Sequence, residues 1–132
     1  MSIIPTDDIL LMECIEALGD KAVILSKKES DAIWRLFKSV IPLDQGGKVE
    51  WEKIKNHISI HSPIQLKKKK SANSLLYILW NDASRPVIKT DLESAIQHFE
   101  DIIYLETWLF DPFDKYVVEI LSTGNITGAG FV

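Results

Sequence analysis

The sequence predicts a single α+β domain spanning residues 1–132: a mostly antiparallel sheet with a C-terminal three-stranded meander and helices packed on one face. Two observations carry this. The order of periodicities is helix, strand, helix, a mixed middle, strand, helix and then three strands, which is not the regular βα alternation of a parallel sheet. The last three strands are also joined by turns too short for any but antiparallel neighbours. No internal repeat, low-complexity linker or compositional break divides the chain.

Thr6 is placed to cap a first helix, with Asp7 and Asp8 in its first turn, where carboxylates meet the positive end of the helix dipole. Leu11, Cys14, Ile15 and Leu18 form its apolar stripe, and Gly19 stops it. Residues 21–25 are a short aliphatic run suited to a strand. Ser26 and Glu29 have capping-box spacing, so a second helix is expected from Lys27 to Val40, ending before Pro42. Its inward side chains are Ile33, Leu36, Phe37 and Val40, with Trp34 at the core edge. Asp44, Gln45, Gly46 and Gly47 read as a turn. In residues 48–61, strand and helix patterns compete, and a short helix from Trp51 is favoured.

Leu75 to Trp80 is a continuous apolar run, as expected of a central strand covered on both faces. Thr90 and Glu93 repeat the capping-box spacing and predict a helix from Asp91. Leu92, Ala95, Ile96, Phe99, Ile102 and Ile103 lie on its buried stripe and Asp91, Gln97, Glu100 and Asp101 on its outer face. The meander follows as residues 106–110, 115–122 and 126–131, with turns at 111–114 and 123–125.

Bulk properties narrow the function. The chain is large enough to bury one core without disulfides or a structural metal. It is 46% apolar and 26% charged, and has one cysteine, which excludes an intrachain disulfide. No apolar run reaches the length of a membrane helix, and the first residues lack a signal-peptide pattern, so a bacterial cytoplasmic protein is expected. The net charge of −4 is uneven. Residues 1–80 carry ten acidic and twelve basic side chains, whereas residues 81–132 carry nine and three. The second half repels nucleic acid and suits a basic protein partner.

Chemistry-bearing motifs are sparse. Cys14 sits on a core stripe with no cation placed to activate it. His57 and His61 have the i, i+4 spacing of two zinc ligands, but the residues between them look extended and no third ligand is spaced to join them, so no metal site is expected. Gly46 and Gly47 lack the lysine and hydroxyl residue of a phosphate loop, and the glycines at 124, 128 and 130 have no helix after them. No catalytic residue or cofactor is implied. An enzyme would require His57, His61 or His98 in a deep pocket beside carboxylates. Lys67, Lys68, Lys69 and Lys70 form a basic loop that could meet phosphates, though without interleaved aromatics. Glu119 shares a strand face with Val117 and Leu121, where an isolated charge is costly unless paired. It is expected either to meet a partner or to face solvent.

The segments Thr107-Trp108-Leu109-Phe110-Asp111-Pro112, Lys115-Tyr116-Val117-Val118-Glu119-Ile120 and Gly124-Asn125-Ile126-Thr127-Gly128, and more loosely Gly47-Lys48-Val49-Glu50-Trp51, resemble bacterial immunity proteins that neutralise toxins of contact-dependent growth inhibition. The resemblance covers the last third of the chain. It implies a cytoplasmic, non-catalytic protein that binds a cognate toxin C-terminal domain, commonly a nuclease. An acidic surface meeting a basic nuclease fits that role. The residues expected to make the contact are Glu100, Asp101, Glu106, Asp111, Asp114 and Glu119 as a charged rim, with Trp108, Phe113 and Tyr116 as anchors. The alternative is a nucleic-acid-binding or regulatory module that uses the lysine loop.

Overall fold

The computed structural model describes residues 8–66, 74–82 and 84–131. Its elements are α1 (Ile9–Leu18), β1 (Val23–Ile24), α2 (Lys27–Val40), β2 (Ile58–Ser59), β3 (Leu75–Trp80), β4 (Ile88–Asp91), α3 (Leu92–Gln97), α4 (Phe99–Ile102), β5 (Thr107–Asp111), β6 (Tyr116–Ile120) and β7 (Ile126–Gly130). All seven strands join one antiparallel sheet in the order β1-β4-β3-β5-β6-β7-β2. The predicted meander is β5-β6-β7, and the apolar run at 75–80 is an interior strand between β4 and β5.

The helices do not share one face. Leu76, Ile78 and Trp80 of β3 pack into a cluster with Leu11, Cys14 and Leu18 of α1 and Leu92, Ala95, Phe99 and Ile102 of α3 and α4. Leu79 points the other way, joining Phe37 of α2, Trp108, Phe110 and Val117 in a second cluster. The reason lies in β5 and β6: every residue of β5, and Val117 through Ile120 in β6, is buried. A sheet that is apolar on both sides needs a cover on both, and α2 is the second cover.

Local chemistry explains where each element starts. Ser26 and Glu29 form the predicted capping box, Glu29 N–H donating to Ser26 Oγ and Ser26 N–H to Glu29 Oε1. On α2 the expected Ile33, Phe37 and Val40 do pack into the second cluster, and one expected residue does not. Leu36 is 39% exposed, while Ser30 is buried and its hydroxyl accepts the Val87 N–H at 2.9 Å. The third capping site also shifts. Asp91 rather than Thr90 caps α3, its Oδ1 accepting the Ser94 N–H at 2.7 Å. The ladder pairing Leu76 with Thr90 holds Thr90 extended, and its buried hydroxyl has no hydrogen-bond partner among the described residues. The expected single helix is interrupted at His98, yet the stripe from Leu92 to Ile102 still faces the core on both pieces. The helix expected from Trp51 is only the 3₁₀ turn Trp51–Lys53.

Asp8 caps α1, its Oδ1 accepting the Leu11 N–H at 2.9 Å; Thr6 and Asp7 lie outside the described residues. Asp8 also receives both arms of Arg85, Nε to Oδ2 and Nη2 to Oδ1, each at 2.8 Å. The buried guanidinium is stacked 3.7 Å from the Tyr104 ring centroid and 4.8 Å from that of Trp80. This arrangement ties the start of α1 to the segment that holds Arg85. Burial pushes the Asp8 carboxyl up, but the Arg85 hydrogen bonds, the Leu11 N–H and the Arg85 charge together hold it below its ordinary value. A depressed acid stabilises the fold above its unfolded pKa of about 3.9 and loses that contribution as pH falls through the folded value. Urea midpoints measured from pH 7 down to pH 2 are therefore expected to fall less steeply below pH 4 in Asp8→Asn, which keeps the cap, than in the native chain. Parallel acid limbs would contradict this.

Candidate partner-binding surface

Glu119 is 3% exposed and faces the α2 side of the sheet. Its Oε2 accepts the Val49 N–H at 2.7 Å and Trp108 Nε1–H at 3.1 Å, and its Oε1 accepts Trp51 Nε1–H at 2.9 Å. It therefore does not face solvent in the free chain. It is a buried acceptor that fastens the loop between α2 and β2 to the meander. Val49 and Ile54 of that loop complete the second cluster. Trp108 is 1% exposed, edge-on to Trp34 at 5.8 Å between ring centroids, and is core rather than anchor. The sequence signalled that Glu119 needed partners. Only the register of β5 against β6, which sets Trp108 opposite Glu119, supplies one of them.

The other expected contact residues fall at two ends of the meander. Thr107 pairs with Ile120 at one end and Asp111 with Tyr116 at the other, about 13 Å apart at strand rise. At the Asp111 end, the buried Asp111 carboxylate accepts the N–H groups of Phe113 and Asp114 at 3.0 Å each and so builds the turn. That turn displays Phe113, which is 65% exposed, beside an exposed Asp114. Tyr116 is half-buried against the first cluster, and burial pushes its hydroxyl up. Its ring and the Ile60 side chain lie over Gly128, where an added Cβ would come within 2.8 Å of Ile60 Cδ1. At the Thr107 end, Glu100 and Asp101 are exposed, and Glu106 accepts the Ser122 hydroxyl at 3.1 Å. The structure thus brings Glu100, Asp101 and Glu106 to one end, displays Phe113 and Asp114 at the other, and buries Trp108, Asp111 and Glu119.

Two depressions flank this frame. A cleft of about 530 Å³ lies between α2, the residues Asn81, Asp82, Ser84 and Arg85, and Leu43 and Gly47, lined by Trp34, Trp80 and Trp108. Its charged lining is mixed: Lys27, Lys38 and Arg85 with Asp31 and Asp82. A shallower groove of about 750 Å³ runs between α3–α4 and the ends of β6 and β7. Its lining includes Ile96, Phe99, Ile120, Leu121 and Ile126 with Glu100 and Asp101. His61 and His98 both border it, a juxtaposition that no spacing in the sequence announces. His98 Nδ1 lies 3.8 Å from Asp101 Oδ2, beyond hydrogen-bond range. His57 is elsewhere, its Nδ1 2.8 Å from the Ile54 carbonyl and its ring tilted against Trp51.

Among the described residues, no group of three histidine, cysteine or acidic side chains is placed to hold a metal ion. No helix among them is long and apolar enough to cross a membrane. Cys14 is buried in the first cluster, and burial pushes its thiol up to about 12, so it is not a nucleophile at neutral pH. Lys67, Lys68, Lys69 and Lys70 lie outside the described residues.

The meander is thus covered on both faces, with Glu100, Asp101 and Glu106 beyond its Thr107 end and Phe113 and Asp114 displayed at the other. Residues 8–129 match the family described as CdiI immunity protein EcoliA0-like, and the chain belongs to that family. It is an immunity protein of the contact-dependent growth inhibition type, whose role is to neutralise a toxin. No curated protein matches the chain.

Two outcomes check the buried groups. Glu119→Gln replaces one accepting oxygen with an NH₂ and leaves a buried donor unpaired. It is expected to cost about 2 kcal/mol in urea unfolding and to change tryptophan emission; an unchanged midpoint would show that the three bonds contribute little. Ellman's reagent at pH 8 is expected to modify Cys14 only after denaturant is added. Stoichiometric labelling of the folded chain within seconds would refute its burial.

Proposed function

We propose that this chain neutralises its cognate toxin by one-to-one binding of the toxin's C-terminal domain, that this domain is a basic nuclease, and that the contact is made through the acidic last third. The observation that carries the reading is the grouping of Glu100, Asp101 and Glu106 at the Thr107 end of the meander. Carboxylates on rigid elements raise the encounter rate with a cationic partner and repel nucleic acid, so the inhibitor competes for the surface that a nuclease presents to its substrate. Phe113 and Asp114 at the far end fall within reach of the same interface, since about 800 Å² per partner is ordinary for a specific complex. An exposed aromatic on a fixed turn is the kind of side chain that anchors one. Neutralisation by occlusion needs no catalysis from the inhibitor.

The test is a calorimetric titration against the purified C-terminal toxin domain encoded immediately upstream, with nuclease activity assayed in parallel. A one-to-one complex of nanomolar or tighter dissociation constant is expected, with activity abolished and association slowing as salt rises. Two folded proteins that do not bind would refute the reading. A tight complex whose association ignores salt would refute the acidic contact alone.

A further inference from the structure

The groove beside α4 differs from the remaining acidic surface in having an apolar floor. Ile96 comes from α3, Ile120 and Leu121 from β6 and its end, and Ile126 from β7. Glu100 and Asp101 stand at the rim, and Ser122, which donates its hydroxyl to Glu106, connects a third carboxylate to the same edge. Among the described residues that line the groove there is no lysine or arginine. The tryptophan-lined cleft has no such bias, because lysines and aspartates face it together.

We infer that this groove is the docking site for a cationic segment of the toxin domain. The segment lays the aliphatic stem of a lysine or arginine on the isoleucine floor and its charged head against Glu100 and Asp101. This rests on the binding function proposed above and gives it a location. Long cationic side chains are suited to such a site, since they bury methylenes while keeping the charge at a polar edge. A charge left solvated at a rim costs little to bring there, and a rim with carboxylates, two histidines and no lysine or arginine among its described residues disfavours anionic partners. The floor is held by β6 and β7 in register over five residue pairs, so the groove exists before the partner arrives.

The experiment measures affinity for the toxin domain by calorimetry and protection in the nuclease assay for three variants beside the native chain. The first, Glu100→Lys with Asp101→Lys, reverses the rim. The second, Gln97→Lys, adds one cation at an exposed groove residue and serves if the first fails to fold. The third, Asp20→Lys with Glu52→Lys, makes the same net-charge change as the first at exposed residues that do not line the groove. The rim reversal is expected to weaken binding at least 100-fold and Gln97→Lys about tenfold, while the control stays within threefold of native. Groove variants that bind like the native chain, or a control weakened as much as the rim reversal, would overturn the groove and leave the immunity reading intact. A native chain that neither binds nor protects would overturn the immunity reading itself.

Discussion

Glu119 stands in the middle of β6 with its carboxylate turned into the α2 side of the core, where an unpaired charge would be prohibitive. What makes the position tenable is three N–H donors from two parts of the chain: the Val49 backbone and the Trp51 indole in the loop between α2 and β2, and the Trp108 indole of β5. The loop between α2 and β2 contains little regular structure of its own, one bridge between Leu43 and Val49 and one 3₁₀ turn. Its hold on the sheet comes from this carboxylate and from the burial of Val49 and Ile54. The dependence runs both ways, because each indole N–H would itself be stranded without the acceptor.

The same logic operates elsewhere in the fold. Arg85, buried between β3 and β4 in the chain, is satisfied by Asp8 at the head of α1 and by the faces of Tyr104 and Trp80. Trp80 donates its indole N–H to the Ile102 carbonyl at 2.8 Å, so the end of α4 is fastened to β3. Each outlying cover is thus attached by a polar group in an apolar setting, which fixes its position more narrowly than hydrophobic contact alone. The meander is left as a stiff frame, and the groove beside α4 is a gap between fastened parts.

How much of this was legible follows from the range of each interaction. The capping box at Ser26, the stop at Gly19 and the turn at Gly47 are local, and the chain states them within four residues. The meander was equally plain, since its turns are short. The α3 cap slipped by one residue because β4 pairs through Thr90 to Asp91, a constraint imposed from β3 some fifteen residues away. The two-sided packing of helices was written in the unbroken burial of β5, which reads as an aromatic strand without saying how many covers it needs. Of the expected contact residues, Glu100, Asp101, Glu106, Phe113 and Asp114 reach the surface, while Trp108 and Glu119 are consumed by each other. That exchange depends on cross-strand register, which no single strand reveals.

The account turns on where the toxin touches. The most direct measurement is a set of ¹⁵N–¹H correlation spectra of this chain, recorded as unlabelled toxin domain is added. Shifts or broadening concentrated at Ile96, His98, Asp101, Leu121 and Ser122 are the result the account requires. Perturbations centred on Trp34, Lys38 and Ser84, with those amides unmoved, would place the partner in the tryptophan-lined cleft and contradict it.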